Sequence, residues 1–309
     1  MKILLLDKNH PLITEQLSAK GFLFEEDFTS TYEDVLKKIA NYDGIIIRSR
    51  IPIDQRFLEH AKNLKFIARV GAGMENINVE FAEKSGIALI SSPEGNRDAV
   101  AEQVLGMLLI LMNRLFISSQ EVKDGMWKRE ENRGDEILGK TVGLIGYGNM
   151  GKAVAKRFSG FGCKVIFHDI LADIKDEFAT QVSLDTLKKE ADILSLHLPI
   201  TKETHYIIDA KFISEMEKNF YFINTARGKN VKTKDLVESL KSGKIKGAGL
   251  DVLEYEKASF ENLDTENEDL QFLLHSEKVI ITPHIAGWTI QSKEKLAQVI
   301  VDKILAQFS

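Results

Sequence analysis

The chain has a single cysteine, Cys163, among 309 residues, so an intrachain disulfide is excluded. One cysteine argues against a disulfide-held secreted scaffold and fits a reducing compartment. Long apolar runs are also missing. The longest, Val104–Met112, contains Gly106 and falls well short of the roughly 18 residues that cross a bilayer. At the start, Ile3–Leu6 is followed at once by Asp7, which is too short for a secretory leader and reads as a buried strand. Neither charge sign dominates: 46 acidic against 41 basic residues give −5, which disfavours a nucleic-acid partner. No internal repeat or low-complexity tract is present, and 44% hydrophobic with 28% charged residues is a globular balance. The expectation is a soluble cytoplasmic protein with no membrane partner. At about 150 residues per domain it has two domains.

Short apolar runs alternate with longer amphipathic stretches, the pattern of parallel βαβ units. The first series is Ile3–Leu6, Gly44–Ile47, Phe66–Val70 and Ala88–Ile90, with a capping box at Ser30-x-x-Glu33. This predicts a small doubly wound unit ending near Ser92-Pro93. From Asp98 to about Ile117 one long helix is expected, apolar on nearly every side and so covered either inside the protein or at a subunit interface. A polar segment around Trp127 follows. The second series is Val142–Ile145, Val165–Phe167, Ile193–Leu196, Tyr221–Ile223, Ala248–Leu250 and Val279–Ile281. Glu254 to Glu277, rich in acids, reads as a solvated connecting loop. A last helix, Thr289 to Gln307, could close either domain, and a return to the first is plausible.

Gly146-Tyr147-Gly148-Asn149-Met150-Gly151 is a G-x-G-x-x-G pattern, weak alone but strong in its setting. A strand precedes it, a helical repeat follows through Phe161 to a stop at Gly162, and Val165–Phe167 leads to Asp169. The first glycine permits the tight turn, the second lets a pyrophosphate approach, and the third allows helix and strand to pack. Asp169 would accept from ribose hydroxyls and repel a 2′-phosphate, which favours NAD over NADP.

Three polar residues follow buried strands, where open α/β sheets bind ligands. Arg227 can grip a carboxylate and an adjacent carbonyl oxygen in a planar fork. His284, in a loop of small residues, can exchange a proton near neutral pH. A carboxylate from Glu254 or Glu256 would fix its tautomer; spacing does not choose between them. No metal-ligand pattern is evident.

In this order, with Arg69–Ile77, Ala191–Pro199, Asn224–Gly228, Gly249–Val252 and Thr282–Ile285, the chain resembles the D-isomer-specific 2-hydroxyacid dehydrogenase family, most closely its phosphoglycerate dehydrogenase branch. The resemblance implies a Rossmann NAD domain, residues 98–285, inserted into a flavodoxin-like substrate domain formed by 1–97 and 286–309. It implies Arg227, Glu256 and His284 as the catalytic set, choosing Glu256 by its five-residue distance from Asp251. The cofactor would be NAD, held by Gly146, Gly148, Asn149, Met150, Gly151, Asp169, Leu198, Pro199, Thr225, Ala226, Asp251, Ala286 and Gly287. The substrate, a 2-hydroxy or 2-oxo acid, would meet Arg48, Ser49, Arg69, Gly71, Ala72 and Gly73. The resemblance also implies a homodimer through the NAD domain. The expected substrate is 3-phosphoglycerate, in serine biosynthesis, with glyoxylate or hydroxypyruvate reduction as the alternative and a non-enzymatic NAD-sensing corepressor behind both. No regulatory C-terminal domain is expected. Lys257, the acidic stretch after it and Trp288 depart from the family pattern and bear on loop closure and the pocket wall.

Overall fold

The computed structural model describes residues 1–256 and 267–308. It divides into two compact units, Met1–Arg97 with Trp288–Ser309, and Asp98–Gly287. Lys257 and the adjoining acidic residues through 266 lie outside the described residues, and with them the central part of the expected acidic loop.

The first unit carries β1 (Lys2–Leu5), β2 (Leu23–Glu26), β3 (Gly44–Ile47), β4 (Phe66–Arg69) and β5 (Ala88–Ser91), all parallel in the order β2-β1-β3-β4-β5. Alternate residues feed two cores, as a sheet covered on both faces requires. Leu4, Ile45, Ile47 and Ile67 pack with Val35, Ile39 and Phe57 on one side. Ile3, Leu5, Ile46, Phe66 and Ala68 pack on the other with Leu296, Ile300 and Ile304 of the last helix, Ile290–Phe308. β2 escaped sequence reading because Leu23-Phe24-Glu25-Glu26 is an edge strand with no buried residue. The expected cap at Ser30 sits one residue later: Thr31 Oγ1 accepts from Asp34 N, while the Ser30 carbonyl accepts from Arg50.

The second unit contains β6 (Thr141–Ile145), β7 (Lys164–His168), β8 (Thr180–Gln181), β9 (Ile193–Leu196), β10 (Phe220–Asn224), β11 (Ile245–Leu250) and β12 (Val279–Ile281). Their order is β12-β11-β10-β9-β6-β7-β8, again parallel throughout. The chain reverses direction of winding between β6 and β9, and ligands of such sheets bind outside the strands' carboxyl ends at that point. β8 is two residues long and carries no apolar signal.

Two expectations change here. The long helix is two helices, Pro93–Met112 and Leu115–Lys123, bent by 58° at a break where Arg114 takes a left-handed φ of 51°. The break has a local cause. Asp135 N–H takes the Met112 carbonyl at 2.8 Å, and Gly134 lies so close that a Cβ there would be 2.5 Å from that oxygen. Within the acidic connector, Glu268–His275 is a helix. Asn267 caps it, Glu268 and Asp269 lie in its first turn where acids are favourable, and Leu270 and Leu273 are buried.

Candidate active site

The glycine turn separates the needs of the fold from those of a ligand. Gly146 has φ 91°, and a Cβ on it would lie 2.4 Å from the His197 carbonyl oxygen and 3.0 Å from Leu198 Cδ2. A Cβ on Gly151 would lie 2.3 Å from the Gly146 oxygen. Both glycines are therefore demanded by the chain's own packing. Gly148 is not: nothing lies within 4 Å of its missing Cβ. It caps the helix Asn149–Phe158 without a side-chain acceptor, so no capping side chain takes up the first N–H groups of that helix. This is the geometry of a phosphate cradle. Asp169 closes one side, its Oδ2 accepting from Tyr147 N at 2.7 Å and its Oδ1 from Leu171 N at 2.9 Å. It also lines an open depression of about 690 Å³ with His168, Ile170 and Ser183.

Across the sheet, the loops after β9 and β10 reach the same strand ends. Pro199 is tied down by Thr204 Oγ1 through its carbonyl at 2.7 Å. Thr225 Oγ1 is buried with no hydrogen-bond partner among the described residues. His197, whose Nε2 meets Ser195 Oγ at 3.0 Å, is pushed down to about 3 by burial and so carries no charge near neutral pH.

The three chemistry-bearing residues come from successive strand ends. Arg227 follows β10 in a turn shaped by Asn224, which accepts from Ala226 N at 3.0 Å and donates to the Arg227 carbonyl at 3.0 Å. A Cβ on Gly228 would lie 1.9 Å from the Leu253 oxygen, so this turn and the segment after β11 touch backbone to backbone. Glu256 ends that segment. Its Oε1 accepts from Leu253 N, and its Oε2 meets His284 Nδ1 at 2.8 Å. Facing a carboxylate, Nδ1 must carry the proton and donate, which fixes the tautomer. Glu254 is spent elsewhere: it accepts from the Tyr206 hydroxyl, pushing that phenol up to about 12, and from Thr233 N at 2.8 Å, where it caps the helix Thr233–Ser242. The structure thus separates the two glutamates that spacing could not.

His284 holds a left-handed φ of 54°, uncommon outside glycine. Asp251, buried at the end of β11, imposes it. Its carboxylate accepts from Thr282 Oγ1 at 2.5 Å, Ile285 N at 2.9 Å and Ala286 N at 2.8 Å, while its carbonyl accepts from His284 N at 2.8 Å. Asp251, expected as a cofactor contact, holds the loop that carries His284. That role and Asn224's escaped sequence reading; the only available signal was a polar residue ending an apolar strand.

The expected substrate residues belong to the first unit. Arg48 and Ser49 follow β3, and Arg48 N donates to Asp7 Oδ2 at 2.6 Å. Arg69 ends β4 with its guanidinium over Gly71, where a Cβ would lie 1.7 Å from Nη1. Gly71 is not a free donor, because its N–H goes to Ser92 Oγ at 3.1 Å; it makes room for Arg69. The N–H groups of Ala72 and Gly73 donate to no protein acceptor among the described residues. Also among the described residues, no cluster of three or more His, Cys, Asp or Glu is placed to hold a metal, and no single helix is long and apolar enough to cross a membrane.

Residues 105–286 match the family model described as D-isomer specific 2-hydroxyacid dehydrogenase, NAD binding domain. The chain belongs to the D-isomer-specific 2-hydroxyacid dehydrogenase family. It is accordingly an oxidoreductase acting on CH–OH donors, and its cofactor is NAD. It is 36% identical to a hydroxypyruvate reductase of Thermotoga maritima over 97% of this chain and 96% of that enzyme. Identity to a D-3-phosphoglycerate dehydrogenase of Archaeoglobus fulgidus is 31% over 99% of this chain, which spans 57% of that enzyme. The crystal structure of a D-lactate dehydrogenase from Aquifex aeolicus complexed with NAD and lactic acid superposes with a TM-score of 0.84 at 30% identity, covering 99% of this chain and 95% of that one.

Proposed function

We propose that this family member interconverts a D-2-hydroxy acid and its 2-oxo acid through Arg227, Glu256 and His284, and that the hydroxy acid is 3-phosphoglycerate, on the route to serine. The carrying observation is the His284 Nδ1–Glu256 Oε2 pair at 2.8 Å, on the unit that presents the phosphate cradle. NAD, when bound, supplies the hydride acceptor at its nicotinamide C4. It is held by Gly146, Gly148, Asn149, Met150, Gly151, Asp169, Leu198, Pro199, Thr225, Ala226, Ala286 and Gly287; Asp251 contributes chiefly by holding the loop that carries the last two.

Arg227 binds the substrate carboxylate and polarises the oxygen on C2. Ala72 and Gly73 supply N–H donors to the carboxylate. His284 Nε2 takes the hydroxyl proton during oxidation and returns it during reduction, and Glu256 stabilises the imidazolium formed between. Arg48 and Arg69 serve the phosphate; Ser49 stands beside them.

A second reading, hydroxypyruvate or glyoxylate reduction, is favoured by the identity to the Thermotoga enzyme over nearly the whole of both chains. Comparing kcat/KM for 3-phosphohydroxypyruvate, hydroxypyruvate and glyoxylate decides it. Preference for the phosphorylated acid supports the first reading; preference for either short acid replaces it with the second.

We also infer a homodimer through the second unit. On the helix Pro93–Met112, Leu105, Leu109 and Ile110 are only half-buried, and Phe116 and Trp127 beyond it are 66% and 77% exposed. An apolar face of this kind is a protein-interaction surface. Light scattering on the wild type and on Phe116→Glu tests it: a dimer that the substitution dissociates is expected, and a wild-type monomer overturns it.

A further inference from the structure

Arg48 and Arg50 stand two residues apart and are used in opposite ways. Arg50 is a backbone clamp: Nε donates to the Leu6 carbonyl at 2.6 Å, Nη1 to Ser30 at 2.6 Å and Nη2 to Asp27 at 2.7 Å. The Arg48 guanidinium has no hydrogen-bond acceptor among the described residues. Its surroundings are dry enough that burial lowers its pKa, although Asp7 nearby opposes this. What it does have is a ring. Its central carbon sits 4.2 Å from the centroid of Trp288. The indole is 65% exposed, yet its backbone is anchored by the reciprocal Thr289–Ser292 cap, with Thr289 N to Ser292 Oγ at 2.9 Å and Ser292 N to Thr289 Oγ1 at 3.0 Å.

A guanidinium resting by one face on a ring keeps its edge donors in a fixed plane, and that planar fork suits a phosphate or carboxylate. Arg48 also directly follows β3, which pairs with β1 at the point where the five-stranded sheet reverses its winding. In such sheets that crevice is where ligands bind. A partly desolvated cation with unfilled donors there calls for an anion.

We propose that Trp288 is a positioning residue that holds the Arg48 guanidinium for a second anionic group on the substrate. It thereby selects 2-oxo acids bearing a phosphate or carboxylate on C3 over those without one. This rests on the reading of Arg48 as a substrate residue, and it assigns to Trp288 the selectivity that Arg48 expresses. A smaller residue would free the guanidinium to swing and bond to water.

The test is a double-mutant cycle with Trp288→Ala and Arg48→Met, assayed with NADH on 3-phosphohydroxypyruvate, oxaloacetate, hydroxypyruvate and glyoxylate. Trp288→Ala should raise KM about tenfold for the two acids with a second anion, the strength of a well-formed cation–π contact. Its kcat should stay within about twofold and glyoxylate should be unaffected, since Trp288 acts on binding alone. Trp288→Phe should recover most of the loss, and Trp288→Ala should add nothing in the Arg48→Met background. Equal losses on all four acids, additive effects, or a wild type with no preference for a second anion overturn the proposal while leaving the catalytic reading intact. If no acid is reduced, that reading fails and binding decides. In a Trp127→Phe chain Trp288 is the sole tryptophan. Its emission should then respond to 3-phosphoglycerate more strongly than to D-glycerate, and the difference should vanish with Arg48→Met. Equal responses to both ligands overturn the proposal.

Discussion

Placing alanine at each glycine of the turn should separate folding from cofactor binding. At Gly146 the left-handed backbone alone costs roughly 1–2 kcal/mol for an L-residue. The Cβ 2.4 Å from the His197 oxygen adds an overpacking cost of about 1–3 kcal/mol, because both partners are backbone. Gly151→Ala incurs the second cost without the first, its Cβ falling 2.3 Å from the Gly146 oxygen. Gly148→Ala meets no protein atom within 4 Å, at φ −80° and ψ −151°. Its stability should match or slightly exceed wild type, by up to about 1 kcal/mol from a less flexible unfolded chain. On the proposed reading of the turn, its methyl would occupy the space of the cofactor's pyrophosphate. Losing even one charge-assisted N–H bond to phosphate, about 1.5–3 kcal/mol, weakens NADH binding by about 10- to 150-fold. Thermal melts without cofactor and NADH fluorescence titrations read the two quantities separately. A Gly148→Ala protein that melts like wild type and binds NADH equally well would refute the assignment of this turn.

Other residues yield equally specific outcomes. Glu256→Gln should lower kcat by about 10- to 100-fold through loss of a charge-assisted bond, whereas Glu254→Gln should leave kcat alone and cost about 1 kcal/mol as a lost helix cap; urea melts and steady-state rates distinguish them. Asp251→Asn replaces an acceptor-only group facing three donors, so it should destabilise by about 1–3 kcal/mol and lower kcat by releasing His284 from its left-handed conformation. Burial pushes His197 down to about 3 from 6.5, so the unfolded chain binds the extra proton between those values. Stability should therefore rise with pH across that window, with this residue contributing a slope of about 1.4 kcal/mol per unit. His197→Asn should flatten the profile there in urea titrations at stepped pH, and an unchanged slope would contradict the assignment.

How much of this was legible depended on distance along the chain. Strands buried on both faces announce themselves as unbroken apolar runs, so β3 and β9 match their expected spans. The edge strands β2 and β8 do not, because nothing buries both of their faces. The helix break after Met112 is invisible locally, since apolar residues continue on both sides and the group that stops it, Asp135 N–H, comes from a distant turn. The glycine turn was readable because its strand, turn and helix are contiguous in the chain, even though Gly146 also answers to the distant His197 carbonyl. Residue spacing alone left Glu254 and Glu256 open and only the family resemblance chose between them, because their partners Tyr206, Thr233 and His284 are distant in the chain; the stacking of Trp288 on Arg48 likewise joins residues far apart in sequence.

His284 is proposed to move the substrate proton, while the glycine turn holds the NAD pyrophosphate. Single-turnover oxidation of bound NADH by a saturating 2-oxo acid, in wild type and His284→Ala, tests that directly. NADH affinity should be unchanged and the chemical step slowed by about 10²- to 10⁴-fold, the range for a positioned acid–base group. A His284→Ala enzyme that oxidises NADH at the wild-type rate would contradict it.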